Sequence, residues 1–408
     1  MSSHLQSAPI FELSHLIQSI KESPTLAVTA KAIRLKAEGR DIIGLAAGEP
    51  DFDTPQHIKD AAKKAIDNGF TKYTPVAGTA SLKQAVISKF KRDNGFDYEA
   101  NEVIIGVGGK QCIFNYCLAV LNPGDEVIIP APYWVSYSDI TMVTGATPVI
   151  VNCGIEQGFK LSPAQLEQAI TAKTKVFMIN SPSNPTGAVY SLPELQALAE
   201  VLKRYPNVMI ATDDMYEHVN LTGEKFHNIL NAAPELKPRT IVFNGVSKAY
   251  SMTGWRIGYA AGPAYIVKAM EILQSQSTSN PTSISQVAAE AALNGDQACI
   301  TPMVTAFKTR HTFVVDRFNS MNGLSCIAAG GAFYAFPDAR VAIANLFAAG
   351  KISVATDIAL SEYLLESQGV AVVPGSAFGA NGYFRISFAT SMQNLENALL
   401  RIEKALAV

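Results

Sequence analysis

Cysteine is scarce. Cys112, Cys117, Cys153, Cys299 and Cys326 are odd in number among 408 residues and form no Cys-x-x-Cys pair. That argues against a disulfide framework and reads as buried or incidental thiols in a reducing compartment. Charge of either sign is not in excess: 33 basic side chains face 35 acidic ones, a net charge of −2. Nothing therefore points to a nucleic-acid or membrane-surface protein. No apolar run approaches the length of a membrane span. Near the N-terminus no basic region precedes an apolar core: Ser2 to Ser7 is polar, Glu12 is acidic and the first arginine is Arg34. A signal or transit peptide is not expected, and the cytoplasm is the expected compartment. Repeats and low-complexity tracts are absent. Glycines at 106, 108 and 109 do not make Gly-x-Gly-x-x-Gly, so the dinucleotide fingerprint is missing. No metal site is expected.

What is present is a large, ordinary core composition: 48% of residues are apolar and 17% charged. At about 150 residues per domain, the length supports two or three domains. Strand-like runs alternate with helical ones through the middle of the chain. Val103–Ile105, Glu126–Pro130, Thr147–Val151, Val176–Ile179, Val208–Thr212 and Thr240–Phe243 read as strands. Between them come helices, one after Gly109 with Ile113, Phe114, Cys117, Leu118 and Leu121 on its apolar face, and one started by a capping box at Ser191–Glu194. This alternation predicts an α/β fold with a mainly parallel sheet. After about residue 300 the pattern changes. A long amphipathic stretch, Ala306–Met321, precedes strand-like Gly330–Phe336 and the alternating Tyr383–Phe388, which reads as a half-buried strand. A last helix aligns Leu395, Leu399, Ile402 and Leu406. The expected division is a large domain over 51–300 and a smaller α/β domain from 1–50 and 301–408.

Ligands of such sheets sit beyond the carboxyl ends of the strands. Gly109, Trp134, Asn184, Asp213 and Lys248 all fall just after strand ends. Each has a plain reading: a turn glycine, a core tryptophan, a turn amide, a partnered carboxylate, a solvated lysine. Their shared placement favours one site. The Gly-rich turn into a helix offers free N–H groups and a dipole to a phosphate. Trp134 can stack on a planar ring. Lys248 lies in Ser247-Lys248-Ala249-Tyr250-Ser251-Met252-Thr253-Gly254-Trp255-Arg256, eight residues before Arg256. A lysine near a second cation loses its proton more easily, and its free amine attacks carbonyls. A phosphate-bearing aldehyde would need both an amine and an arginine.

The combination of Leu45-Ala46-Ala47-Gly48-Glu49-Pro50-Asp51-Phe52, Asn184-Pro185-Thr186-Gly187, Asp213 with Tyr216, Ser247-Lys248 with Arg256, and Arg385 resembles the class I pyridoxal-phosphate aminotransferases over nearly the whole chain. Gly108-Gly109-Lys110-Gln111 and Ala131-Pro132-Tyr133-Trp134-Val135-Ser136-Tyr137 are similar to the bacterial aspartate and aspartate/prephenate subgroup. The resemblance implies the aspartate-aminotransferase-like fold, with a mainly parallel seven-stranded sheet, and pyridoxal 5'-phosphate as cofactor. It implies that Lys248 holds the cofactor as a Schiff base and then shuttles a proton. Asp213 would pair with the pyridine nitrogen, Asn184 and Tyr216 with the phenolic oxygen, and Trp134 with the ring face. Gly109, Lys110, Ser247 and Arg256 would hold the phosphate. Tyr73 would reach the phosphate of a neighbouring subunit, which implies a homodimer with shared sites. Arg385 would clamp the substrate α-carboxylate, aided by Gly48 and Asn184. One departure is Gly245, where some relatives carry a phosphate-binding serine.

The expected reaction moves the amino group of L-aspartate to 2-oxoglutarate. Alternatives are an aromatic, prephenate or alanine preference, or a lyase on the same scaffold. A transcription regulator with an aminotransferase-like sensor domain would need a DNA-binding segment, and the enzyme-like part begins almost at once. A dicarboxylic substrate needs a second cation. No lysine or arginine occurs between Lys268 and Lys308, so an arginine from that segment is not the source. Lys110 is the expected one.

Overall fold

The computed structural model describes residues 13–20 and 24–407. The polar stretch Ser2–Ser7 lies outside them. The six expected strands and a seventh form one sheet: β1 (Val103–Gly106), β2 (Glu126–Ala131), β3 (Thr147–Asn152), β4 (Thr174–Asn180), β5 (Met209–Asp213), β6 (Thr240–Gly245) and β7 (Gly258–Ala261). Their order is β1-β7-β6-β5-β4-β2-β3. The neighbours β6, β5, β4, β2 and β3 pair in parallel. The strand β7 was not anticipated from the sequence. It runs antiparallel to both β1 and β6. Four residues of glycine, tyrosine and alanine give little strand signal, and what holds them extended is ladder pairing on both sides.

Continuous apolar runs rather than alternation mark these strands because helices cover both faces. Every residue of β1, β6 and β7 is buried. The Gly109–Val120 helix packs on the sheet and on the Ala264–Ser275 helix. Its inward face is Cys112, Ile113, Tyr116 and Cys117. Leu118, expected on that face, is exposed, because the packed stripe runs one residue behind it. Ser191 and Glu194 form the expected capping box of the Leu192–Lys203 helix.

The tail builds a second, small sheet. Val373–Pro374, Phe384–Ser387 and Tyr334–Ala335 pair antiparallel in that order. Ile43–Gly44 pairs in parallel with Val370–Ala371, which ties the N-terminal segment to the tail. The Thr301–Ser320 and Met392–Leu406 helices pack on each other beside these strands. Leu395, Leu399, Ile402 and Leu406 are buried as expected. Burying each side chain of that size contributes about 1.5–3 kcal/mol. The strand at 384–387 corrects one expectation. It is buried on both faces, Arg385 included, rather than half-exposed. The alternation in its sequence separates a cleft-facing polar side from a core side, not water from core.

Candidate active site

One cavity of about 390 Å³ opens at the carboxyl ends of β4, β5 and β6, between the sheet and the tail. Gly48, Gly109, Lys110, Trp134, Asn184, Asp213, Tyr216, Ser247, Lys248, Arg256 and Arg385 all line it. Tyr73 does not. Its side chain is 92% exposed, away from the cavity.

Lys248 follows β6 and is half-buried among Tyr216, Phe333 and the 46–49 segment. Its Nζ donates to the Gly48 carbonyl at 2.6 Å. The Tyr216 and Phe333 rings each stand 5.9 Å from it. Burial lowers its pKa to about 8, with Arg385 and Arg256 acting the same way and Glu49 and Asp213 opposing. About a tenth of this amine is therefore free at pH 7, far more than for an ordinary lysine, as a nucleophile or proton acceptor needs.

Asp213 is the last residue of β5 and is buried. Its Oδ2 accepts from the Tyr137 hydroxyl at 2.5 Å and its Oδ1 from the Met215 amide at 3.2 Å. Burial raises its pKa, while Tyr137, Met215 and Lys248 pull it back. Asp214, one residue on, faces away from the cavity. Thr212 and Asn228 donate to its two oxygens at 2.7 and 2.6 Å. Strand alternation thus assigns the cleft to Asp213 alone.

The β1-to-helix turn and the segment after Lys248 meet at a cradle. Arg256 sits in the left-handed region at φ 57°, which costs a non-glycine residue about 1–2 kcal/mol. Its Nη1 donates to the Thr253 carbonyl at 2.8 Å. A Cβ on Gly108 would lie 2.4 Å from its Nη2, so only glycine leaves the guanidinium room there. Close packing accounts for the glycine at 245. A Cβ there would lie 3.1 Å from the Gly258 Cα and 3.1 Å from the Ile257 carbonyl. A serine side chain would fit only if the antiparallel β7 gave way by a few tenths of an ångström.

Arg385 crosses to the cavity from the tail and is 2% exposed. Its Nη1 donates to Asn184 Oδ1 at 2.8 Å and its Nη2 to the Ala46 carbonyl at 2.7 Å. Its Nε has no partner among the described residues. The guanidinium lies 4.4 Å from the Tyr334 ring and 5.0 Å from that of Phe378. Burial lowers its pKa. Lys110 is exposed at the mouth, with its Nζ 5.0 Å from the Trp134 ring.

Sequence reasoning missed several members of this lining. Tyr137 stood in a quoted motif without a role, yet it holds Asp213. Its spacing of three after Trp134, at the start of the Ser136–Val143 helix, was the available signal. Tyr334 came from a stretch read only as strand. Thr25, Leu26 and Thr29 come from the Pro24–Ala37 helix at the mouth, which nothing in local sequence directs there.

The residues present fit pyridoxal phosphate. A half-buried amine of lowered pKa answers its aldehyde, a buried carboxylate its pyridine nitrogen, and an arginine beside a helix N-terminus its phosphate. The Arg385 Nε, without a partner among the described residues, leaves a buried donor for a carboxylate. Comparison with known proteins agrees. The aspartate/prephenate aminotransferase of Nitrosomonas europaea is 62% identical over 396 residues, 97% of this chain and 100% of that one. The crystal structure of the aspartate aminotransferase from Rhizobium meliloti superposes with a TM-score of 0.91 at 48% identity, covering 97% of this chain and 99% of that one. The Thermus thermophilus aspartate aminotransferase with maleate gives 0.90 at 41%, covering 97% and 100%. The family model described as aminotransferase class I and II matches residues 40–402. The chain belongs to this family of pyridoxal-phosphate-dependent transaminases.

Proposed function

We propose that this enzyme moves the amino group of L-aspartate to 2-oxoglutarate, giving oxaloacetate and L-glutamate. The observation that carries the choice of donor is the set of cations lining one cavity. Lys248 serves the aldehyde, Arg256 the phosphate and Arg385 the α-carboxylate, which leaves Lys110 for a second carboxylate. Pyridoxal phosphate supplies the electron sink for the charge left when the Cα proton departs. Asp213 keeps the pyridine nitrogen protonated, and the Tyr137 hydroxyl favours the carboxylate form of Asp213 and aims it. Asn184 and Tyr216 serve the phenolic oxygen, and Trp134 the ring face. Lys110 and Gly109 offer backbone N–H groups, and Ser247 a hydroxyl, to the phosphate. Arg385 and Asn184 orient the amino acid so that its Cα proton faces Lys248 Nζ, which takes it up. Gly48 completes the carboxylate pocket.

Prephenate is the second reading, favoured by the name of the Nitrosomonas relative. It also carries two carboxylates, and the mouth offers apolar Leu26 and Val135 beside Lys110. The exposed Tyr73 supports a homodimer in which it reaches the partner's phosphate. Mixing inactive Tyr73 and Lys248 variants should then restore activity through hybrid dimers, and an active monomer in sedimentation would end that part. The separation of the seven-stranded sheet from the two small sheets built by the tail and the N-terminal segment supports a division into a cofactor domain over 51–300 and a small domain from the two ends. Five free cysteines support a reducing compartment, which we take to be the cytoplasm. A panel of amino donors against 2-oxoglutarate and oxaloacetate, with prephenate as a further acceptor, tests the assignment. Aspartate should lead alanine and the aromatic donors. Turnover without any 2-oxo acid would indicate a lyase instead.

A further inference from the structure

Tyr334 stands at the junction of the two halves of the site. Its side chain is fully buried on the Tyr334–Ala335 strand. Its hydroxyl is 2.8 Å from that of Tyr216. Its ring lies under the Arg385 guanidinium, 4.4 Å away. It also limits the 46–49 segment, since a Cβ on Gly48 would come within 3.0 Å of its hydroxyl. A buried tyrosine could serve only the core, and Phe333 beside it does much of that, its ring packing on both Tyr216 and Tyr334 at 5.6 and 4.8 Å. A core role needs the ring. It does not need a hydroxyl aimed at another hydroxyl, nor a cation seated on the ring face.

We propose that Tyr334 is a positioning residue with two separable actions: its hydroxyl directs the proton of Tyr216 into the cavity, and its ring holds Arg385 in place for the α-carboxylate. The hydrogen-bond arithmetic gives the first action. A tyrosine hydroxyl has one proton to donate. When Tyr334 donates to the Tyr216 oxygen, the Tyr216 proton is free to point at the cofactor's phenolic oxygen. The cation over the Tyr334 ring favours that sense, because it draws electron density from the phenol and makes it the better donor. The second action follows from burial. Among the described residues Arg385 has hydrogen bonds at Nη1 and Nη2 only, so the aromatic face supplies the rest of its support in a site shielded from water.

This inference rests on the reading of Tyr216 as partner of the phenolic oxygen, and the test separates the two. The holoenzyme is prepared as wild type, Tyr334→Phe, Tyr334→Leu, Tyr216→Phe and the Tyr216→Phe/Tyr334→Phe double variant. Two quantities are measured: the pH midpoint of the bound cofactor's visible absorption change, and the affinity for maleate, an unreactive dicarboxylate. Tyr334→Phe keeps the ring and removes the hydroxyl. It should shift the midpoint by about half a unit to one unit, the size expected for one hydrogen bond, with maleate affinity held within about threefold. Tyr334→Leu should in addition weaken maleate by about tenfold or more. In the Tyr216→Phe background, Tyr334→Phe should add no further shift. If Tyr216→Phe itself leaves the midpoint unmoved, the reading of Tyr216 fails. If Tyr216→Phe shifts the midpoint and Tyr334→Phe does not, the hydroxyl action is overturned. Equal maleate affinity in Tyr334→Phe and Tyr334→Leu overturns the ring action. Should Tyr334→Leu not fold, Tyr334→Met, which is also without an aromatic face, replaces it in the same comparison.

Discussion

Replacing Lys110 with alanine tests whether the enzyme reads a second carboxylate. The ammonium lies at the cavity mouth, over the Trp134 ring, and its backbone opens the Gly109–Val120 helix. The substitution leaves that backbone in place, so cofactor affinity should hold. What is lost is one charge-assisted hydrogen bond, worth roughly 1.5–3 kcal/mol when shielded. Lys110 is exposed, so water competes for the charge and the lower end applies. The expected loss in kcat/KM for aspartate is about 10- to 30-fold. Alanine as donor has no distal charge and should lose less than threefold. Lys110→Met is the companion variant, because it retains an apolar stem over Trp134 and removes only the charge. Steady-state kinetics with both donors against 2-oxoglutarate decide the matter. If aspartate and alanine suffer alike in both variants, Lys110 does not recognise the side chain and the assignment of aspartate loses its carrying observation.

Three further expectations follow from the same geometry. Burial lowers the Lys248 pKa to about 8, so the rate at which the apoprotein captures pyridoxal phosphate should rise with pH around a midpoint near 8; a midpoint near 10 would remove the case for a tuned amine. Asp214 is raised from 3.8 to about 7, chiefly by burial, so the folded state holds its proton more tightly than the unfolded chain does. Its contribution is full below about pH 4 and is lost as pH rises through 7. Asp214→Asn can keep both hydrogen bonds by turning its amide nitrogen to Thr212, and its melting temperature relative to wild type should climb from pH 5 to pH 8; a constant difference refutes the account. Gly245→Ser should weaken cofactor binding in equilibrium dialysis, since its Cβ meets β7 at 3.1 Å; tighter binding would mean that β7 yields to a phosphate-binding hydroxyl.

The parallel part of the sheet was legible because its strands are continuous apolar runs, each followed by a chemically distinctive residue. Asp213, Asn184 and Lys248 could be placed together from that fact alone. The strand β7 was not legible, since pairing on both edges rather than side-chain character makes Gly258–Ala261 extended. Arg385 was read on a half-exposed strand and is buried, because alternation does not tell water from a lined cleft. Tyr137 and Tyr334 were missed for a related reason. Their partners, Asp213 and Tyr216, lie 76 and 118 residues away, and no local pattern encodes such contacts.

The two anchors of Arg385 have a consequence for motion and folding. Ala46 and Asn184 are 339 and 201 residues from it along the chain. Closing contacts of that span is slow, because loop entropy is spent before the contact forms. The clamp therefore comes together only when the N-terminal segment, the sheet and the tail have all docked. A carboxylate that binds Arg385 consequently draws on the free energy of all three at once. Its stabilisation should spread over the molecule by linkage instead of staying at the cavity. In hydrogen-exchange terms, maleate should slow amide exchange at 43–46 and at 384–387 together with the end of β4, although these segments share no stretch of sequence.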